Sequence, residues 1–223
     1  MKTITITKNI YRYDELSDKA QDAVKEWLLQ GRQETDVFSE NCENDLESLF
    51  PYSDLDVTYS LNYCQGDGFN IVGKLDFRDM LPHMEGKKTS FLSEFLPIYS
   101  DKEIKTLKWL FEWIECEYTF TRSRFGNCYS CKDEDKSEIE YLIDEAMETL
   151  EYYHFKNIGN IPKLLKRFYY DVFDCFEKLD KFYEDSGYAY FYEIDEETAQ
   201  EICEIKDYMF FEDGSTCCKV YSR

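Results

Sequence analysis

The chain has 223 residues, and its 26 Lys and Arg against 47 Asp and Glu give a formal net charge of −21. Aromatic residues make up 17% of the chain, which excludes disorder as the cause of the acidity because acidic disordered chains are poor in aromatics. A phosphate-binding face needs clustered Lys and Arg, so the composition also argues against direct nucleic-acid binding.

The sequence shows no apolar run that suits secretion or membrane insertion. The start, MKTITITKNI, lacks a signal-peptide core, and no stretch of about 18 consecutive apolar residues occurs. We therefore expect a cytoplasmic protein with no membrane partner. In that compartment most of the nine cysteines should be reduced thiols rather than disulfides.

The first part of the chain alternates between strand and helix patterns. Residues 2–7 alternate as a half-buried strand does. Ser17 is a suitable N-cap for a helix that Gly31 would end, and a second helix is expected over 36–50. Ser100 and Glu103 form a capping box at the start of a further helix.

The strongest strand signal is LDVTYSLNY at 55–63, where apolar and polar residues alternate without interruption. A Gly-rich turn at 64–68 leads into FNIVGKLDF at 69–77, which predicts an antiparallel hairpin. A third strand of this meander is expected at 116–124.

Beyond residue 132 the apolar spacing becomes helical. Two helices are predicted here. Ser137 and Glu140 form a capping box at the start of the first, and Pro162 suits the first turn of the second, whose apolar stripe extends as far as Phe182. A short strand at 188–192, a helix at 195–208 and a closing strand at 216–221 should follow. We predict an α+β fold with an antiparallel β-meander packed with helices over 1–132. A mainly helical part follows over 133–223, and the two parts can share one core.

The acidity is concentrated in three runs on predicted helices. Residues 34–47, 133–151 and 193–204 carry net charges of −6, −8 and −6, which together make up −20 of the −21. Each run lies on a predicted helix whose opposite side is apolar, so its carboxylates should point into solvent. They either form a solvated surface that keeps the protein soluble, or they converge into a patch for a basic partner.

A zinc site is the main metal hypothesis. Cys128 and Cys131 form a CxxC after a predicted turn, a spacing from which two thiolates can hold one Zn²⁺. A structural site needs four ligands, and Cys64 at the other turn is a candidate third. Cys42, Cys116, Cys175 and Cys203 lie in apolar stripes or at strand starts, which favours core packing for these four thiols.

Enzyme signatures are scarce in this sequence. It contains no phosphate-binding P-loop, no nucleophile elbow and no zinc-protease helix motif, and the Gln65–Gly68 loop fits a hairpin turn better than a metal or phosphate loop. A small hydrolase or nuclease that uses carboxylates or a metal remains an alternative, as does a regulatory or structural role.

Two segments carry a resemblance to known proteins. LSDKAQDAV at 16–24 and YSLNYCQGDG at 59–68 resemble a family of phage and prophage proteins that pair such a helix with such a hairpin. The resemblance covers the first third to half of the chain and implies a phage origin. Small acidic phage proteins without catalytic motifs are similar in class to inhibitors of host defence, including anti-CRISPR proteins.

The leading hypothesis is therefore a phage-encoded inhibitor that acts in the host cytoplasm. Its acidic helices would bind a basic host protein, a type II CRISPR nuclease, and block the channel that loads target DNA. The predicted contact residues are Glu138, Glu140, Asp144, Glu145, Glu148, Glu151, Asp195, Glu196 and Glu197.

Overall fold

The structure is a computed structural model that describes residues 7–33, 36–63, 67–86, 91–120, 131–155 and 159–217, with only the helical backbone described for 131–138. The helices and strands of these residues are, in chain order, α1 (Asp18–Gln33), α2 (Val37–Leu49), β1 (Asp54–Ser60), β2 (Gly68–Asp76), α3 (Leu81–Met84), α4 (Asp101–Leu110), β3 (Glu117–Phe120), α5 (Cys131–Tyr152), α6 (Ile161–Tyr192), α7 (Glu196–Ile205), β4 (Met209–Phe210) and β5 (Thr216–Cys217).

The chain divides into two compact units. One consists of Met1–Phe38 together with Ser186–Arg223, and the other of Ser39–Asp185. The division that the sequence predicted at residue 132 falls inside the second unit. The structural division differs because α1 buries its apolar face against α7, a contact between distant parts of the chain that local sequence patterns do not reveal.

The second unit contains a three-stranded antiparallel sheet in the order β1-β2-β3. β1 pairs along its full length with Gly68–Lys74 of β2, and β3 pairs with the far end of β2, which confirms the predicted meander. The carboxylate of Asp67 accepts hydrogen bonds from the Asn62 backbone N–H at 2.6 Å and the Ser60 hydroxyl at 3.2 Å. These bonds hold the end of the hairpin, whose turn residues 64–66 lie outside the described residues.

α6 carries much of the core of this unit. Phe168, Val172 and Leu179 are fully buried, as the predicted stripe requires, and Pro162 lies in the first helical turn. Phe182 was expected on the same stripe but is 41% exposed, and Tyr183, one full turn after Leu179, is buried instead.

Aromatic contacts join the sheet and the neighbouring helices to α6. Phe77, just after β2, packs beside Phe168 and Tyr169 with ring centroids 5.7 and 5.2 Å apart. Phe50, just after α2, stacks on Phe176 at 5.4 Å. The sheet and helices thus form the α+β arrangement that the sequence predicted.

The first unit has a core of its own. Ala20, Val24 and Leu28 of α1 pack with Ala199 and Cys203 of α7, and Trp27 lies at the edge of this core with its ring 5.1 Å from that of Tyr208. The predicted strand at 2–7 lies almost wholly outside the described residues, whereas the closing strand is present as β5 and pairs with β4.

Three local predictions were wrong. Residues 188–192 form the end of α6 instead of a strand, because packing of Tyr190, which stacks on Phe38, and of Phe191, which meets Phe38 edge-on, offsets the cost of about 1 kcal/mol for Gly187 inside a helix. α1 continues past Gly31 to Gln33. α5 begins at Cys131, so Ser137 lies within the helix rather than at its cap.

No helix within the described residues combines the length and the apolar character that crossing a membrane requires.

Candidate functional site

The buried residues of α5 determine which side of this helix faces solvent. Ile139, Ile143, Ala146 and Leu150 are all buried and recur at helical spacing, as the sequence predicted. Lys166 of α6 lies 3.8 Å from the Glu140 carboxylate, so α5 runs beside the first half of α6.

Four of the predicted contact residues form one row on the opposite side of α5. Glu140, Asp144, Glu148 and Glu151 are all exposed. At about 3.6 residues per turn they fall within roughly 80° of the helix circumference and span about 17 Å along its axis. We call these four residues the α5 acidic face. Glu145 is half-buried at its edge, and the side chain of Glu138 lies outside the described part.

Little positive charge balances this face. Glu140 and Lys166 form an ion pair in which both side chains are about half exposed or more, so the pair is weak. Within the described part of the chain, Asp144, Glu148 and Glu151 have no Lys, Arg or His within ion-pair distance. The row is therefore a strongly negative surface.

The last two carboxylates of the row lie at the unfavourable end of the helix. α5 ends at Tyr152, and its last turn contains no basic residue. The C-terminal end of a helix carries partial negative charge, so Glu151 in the last turn is repelled by the helix itself as well as by Glu148, which lies three residues before it. Helix stability does not explain why acids stand at these positions.

The second predicted set, on α7, has a different environment. Asp195 is the N-cap of α7, and its carboxylate accepts hydrogen bonds from the Thr198 backbone N–H at 2.7 Å and the Thr198 hydroxyl at 3.1 Å. These bonds hold the pKa of Asp195 below its usual value. Glu196 and Glu197 are exposed in the first turn, where the partial positive charge of the helix end favours acids. Helix stability therefore accounts for all three α7 residues.

The two sets lie in different units of the chain, α5 in the second and α7 in the first. The convergence of the acidic runs into one patch thus stays a prediction.

An exposed group of aromatic rings adjoins the end of the α5 acidic face. Tyr152 is 77%, Tyr153 51% and Trp113 41% exposed. The centroid of the Phe155 ring lies 5.0 Å from that of Trp109 and 5.1 Å from that of Trp113. The Trp113 ring in turn lies 5.4 Å, centroid to centroid, from the Tyr153 ring. We call Trp109, Trp113, Tyr152, Tyr153 and Phe155 the aromatic cluster. Glu148 precedes Tyr152 by one turn on the same side of α5, so acid and ring are direct neighbours.

The C-terminal cap of α5 brings Phe155 into this cluster. The Phe155 N–H donates to the Leu150 carbonyl at 3.1 Å and the His154 N–H donates to the Glu151 carbonyl at 2.9 Å, the pattern of a Schellman cap. His154 has a φ of 59°, the left-handed conformation that this cap requires. The chain therefore reverses after Tyr153, and Phe155 packs against Trp109 and Trp113.

Sequence reasoning missed the aromatic cluster. Trp113 follows the end of α4 and Tyr153 follows the end of α5, and neither they nor Tyr152 continue the apolar stripe of the helix concerned. An aromatic residue that is out of phase with its own helix is the signal that indicates an exposed ring, and the YYHF run at 152–155 carries it twice.

The predicted zinc ligands fall largely outside the described residues. Cys64 and Cys128 lie outside them, and Cys131 begins α5 with a side chain that is not described. Within the described residues, no group of three or more His, Cys, Asp or Glu side chains is arranged to hold a metal ion. Zinc binding stays a prediction.

The cysteines assigned to the core are mostly buried. Cys42, Cys175 and Cys203 are buried, which confirms their predicted role, while Cys116 is half-buried beside Asp76. Burial raises the pKa of Cys42 and Cys175 to about 12 and that of Cys203 to about 11. These three thiols are therefore poor nucleophiles near neutral pH.

A buried polar network beside the sheet stabilises the entry to β1. The Asp79 carboxylate accepts hydrogen bonds from the Tyr52 backbone N–H at 3.0 Å and the Ser53 hydroxyl at 2.7 Å, and burial raises the pKa of Asp79. The Ser53 oxygen in turn accepts a bond from the Asp76 backbone N–H at 2.9 Å. His83 is also buried, with Nε2 3.1 Å from the Leu49 carbonyl oxygen. These contacts tie the residues around β1 to the start of α3.

The chain matches no family model, and no significant match was found among curated proteins or among solved structures.

Proposed function

We propose that the protein is a phage-encoded inhibitor that binds a basic, nucleic-acid-handling defence protein of the host, a type II CRISPR nuclease, through the α5 acidic face. The observation that supports this proposal is the row of carboxylates on α5, of which Asp144, Glu148 and Glu151 have no basic partner within the described part of the chain. These acids reduce the stability of their own helix, and a cationic partner would relieve the repulsion that they cause.

The spacing of the row suits a surface that normally holds a nucleic-acid backbone. Four carboxylates over about 17 Å place one negative charge every ~5.5 Å. A single strand in duplex DNA carries one charge every ~3.4 Å, so the row has somewhat more than half that density. A channel lined with Lys and Arg for a phosphate backbone would therefore attract α5, and bound α5 would exclude DNA.

Inhibition of a purified nuclease tests this proposal. A guide-loaded type II CRISPR nuclease is mixed with increasing amounts of the protein, and binding of a labelled target DNA is measured by gel shift. We expect wild-type protein to prevent DNA binding, and we expect its affinity for the nuclease to fall steeply with salt because charges carry the interaction.

Two variants of equal charge separate the α5 acidic face from net charge alone. The first replaces the four acids of the face by amides: Glu140→Gln, Asp144→Asn, Glu148→Gln and Glu151→Gln. The control replaces four exposed acids that lie outside the three acidic runs: Glu26→Gln, Glu94→Gln, Glu177→Gln and Glu212→Gln.

Both variants raise the net charge by four, but only the first should lose inhibition. Equal inhibition by the two variants would reject the α5 acidic face. No inhibition by wild-type protein would reject the nuclease as the target, and cleavage of the DNA by the protein itself would favour the hydrolase alternative.

A further inference from the structure

Two features that a folded protein normally avoids coincide at the end of α5. One is the pair of carboxylates, Glu148 and Glu151, at the negative end of a helix. The other is the exposure of Trp113, Tyr152 and Tyr153, three large rings of which the first two each contact Tyr153 on the surface. Exposed aromatic groups of this kind mark interaction surfaces in soluble proteins.

We propose that the aromatic cluster and the end of the α5 acidic face together form a docking site for an arginine-bearing segment of a protein partner. This inference rests on the proposed function, since it names the side-chain chemistry by which the partner is recognised. The carboxylates attract the guanidinium group, and the exposed rings of Trp113, Tyr152 and Tyr153 offer it a flat face on which to stack.

Charge selects a cationic side chain, and ring chemistry selects arginine over lysine. Trp has the most favourable ring face for a cation, and Arg stacks on such faces more often than Lys because its guanidinium is planar and weakly hydrated. The same chain already contains an arginine held between a ring and an acid. The guanidinium of Arg167 lies 3.9 Å from the centroid of the Tyr99 ring, and its Nη1 lies 3.0 Å from the Glu103 carboxylate. At the end of α5 the ring and the acid are present on the surface, and the partner would supply the cation.

A second copy of the chain suits this site poorly. The net charge is −21, and contact between two copies at the same face would bring two rows of carboxylates together. The side of the cluster formed by α4 is less negative, since Lys102 and Lys105 line a shallow groove beside Trp109. A cationic segment should therefore approach from the α5 side.

Synthetic peptides provide the test. One probe is a twelve-residue peptide of alternating Arg and Ala, and the other has Lys in place of every Arg, so that the two probes carry the same charge. Two of the three tryptophans, Trp109 and Trp113, belong to the cluster, so quenching of tryptophan fluorescence reports binding there. We expect the Arg peptide to bind at least about fivefold more tightly than the Lys peptide, as cation–π stacking implies.

Two substitutions test the role of the rings. Trp113→Ala and Tyr152→Ala should each reduce the preference for Arg, with Trp113→Ala bringing the affinities for the two peptides within about twofold of each other. Since Tyr152 contacts Tyr153 and is 77% exposed, its removal leaves the fold intact even where loss of Trp113 disturbs packing. Tyr52→Ala is the matched control, because Tyr52 is 76% exposed and lies before β1, outside the cluster. It should bind both peptides as wild type does.

The carboxylates make a separate contribution. Glu148→Gln with Glu151→Gln should weaken both peptides to the same degree, because charge attraction does not distinguish Arg from Lys. Equal affinity of wild-type protein for the two peptides would overturn the inference, and so would an Arg preference that survives Trp113→Ala. A dimer in sedimentation that Trp113→Ala dissociates would assign the cluster to self-association and would also overturn it.

The two proposals fail in different ways. Nuclease inhibition that is equal for wild type, Trp113→Ala and Tyr152→Ala would leave the proposed function in place and reject the aromatic docking site. Selective Arg-peptide binding without any nuclease inhibition would support the docking site and reject the nuclease as its partner.

Discussion

Neutralising the α5 acidic face should make the protein more stable while it makes the protein a poorer binder. The perturbation is the fourfold amide variant of Glu140, Asp144, Glu148 and Glu151. These acids are exposed, and their replacement by amides of similar size leaves the buried stripe of α5 unchanged. Any change in the free energy of unfolding should therefore come from charge.

The magnitude follows from the positions of the four acids. Glu140 and Asp144, Asp144 and Glu148, and Glu148 and Glu151 are neighbours on the helix, and each like-charge pair costs about 0.2–0.5 kcal/mol. Glu151 in the last turn opposes the helix dipole at a cost of about 0.3–1 kcal/mol. The variant also loses the exposed Glu140–Lys166 ion pair. This loss reduces the gain in stability by at most about 1 kcal/mol, and by less in salt. The net expectation is a gain of roughly 1 kcal/mol.

Thermal unfolding at low and high salt measures this gain. In a chain of this size about 1 kcal/mol corresponds to a rise in Tm of about 2–4 °C. In ~1 M salt the Debye length falls to about 3 Å, so the difference from wild type should largely disappear. A Tm below that of wild type at low salt would refute the reasoning, since it would show that the carboxylates stabilise α5. The four-acid control variant, whose residues are scattered over the chain, should show a smaller gain.

Three further predictions concern the sheet and the cap at the end of α5. Gly73→Ala should destabilise the protein by at least about 2 kcal/mol in urea unfolding, because φ is 107° there and a Cβ atom would lie 2.3 Å from the Asp54 carbonyl oxygen; a loss below about 0.5 kcal/mol would contradict the β1–β2 register. Tm should fall in the order His154→Gly, wild type, His154→Val, since glycine suits a left-handed cap best and a β-branched residue tolerates it least, and a Val variant as stable as wild type would disprove the cap. Burial alone would raise the pKa of Asp76, but hydrogen bonds from Arg78 lower the pKa overall. The ionised carboxylate therefore stabilises the fold above its unfolded pKa near 3.9, and this contribution is lost as the pH falls. Asp76→Asn should therefore destabilise the protein at pH 7 and much less at pH ~2.5, and a pH-independent difference would contradict this ion pair.

The elements that the sequence predicted well are those whose pattern is complete within a few residues. The alternation that predicts a strand at 55–63, the capping box at Ser100 and the apolar stripe of α5 each depend on neighbours in the chain. The capping box and the stripe are present as predicted, and the strand is present as Asp54–Ser60, three residues shorter at its end than predicted. The carboxylates of α5 were expected on the outside because the stripe fixes the opposite side of the helix, and Glu140, Asp144, Glu148 and Glu151 are exposed.

The features that the sequence did not reveal depend on contacts between distant residues. Phe38 and Phe191 touch with ring centroids 5.3 Å apart, and that contact extends α6 through Gly187 where a strand was expected. The aromatic cluster likewise joins α4 to the end of α5, and the left-handed turn at His154 that completes it occurs without the Gly that usually signals such a cap. The importance of charge at a helix end also depends on where the helix stops, which sequence patterns locate only to within a few residues.

Hydroxyl-radical footprinting of the protein bound to a guide-loaded type II CRISPR nuclease tests the central claim most directly, because it reads the exposure of individual aromatic side chains. Tyr152 and Tyr52 are equally exposed in the free protein, so their oxidation rates provide an internal comparison. We expect binding to slow the oxidation of Tyr152, Tyr153 and Trp113 at least about fivefold, as burial in an interface core would, and to leave Tyr52 unchanged. Protection of Tyr52 with continued oxidation of Tyr152 and Trp113 would show that the partner binds elsewhere and would contradict the account.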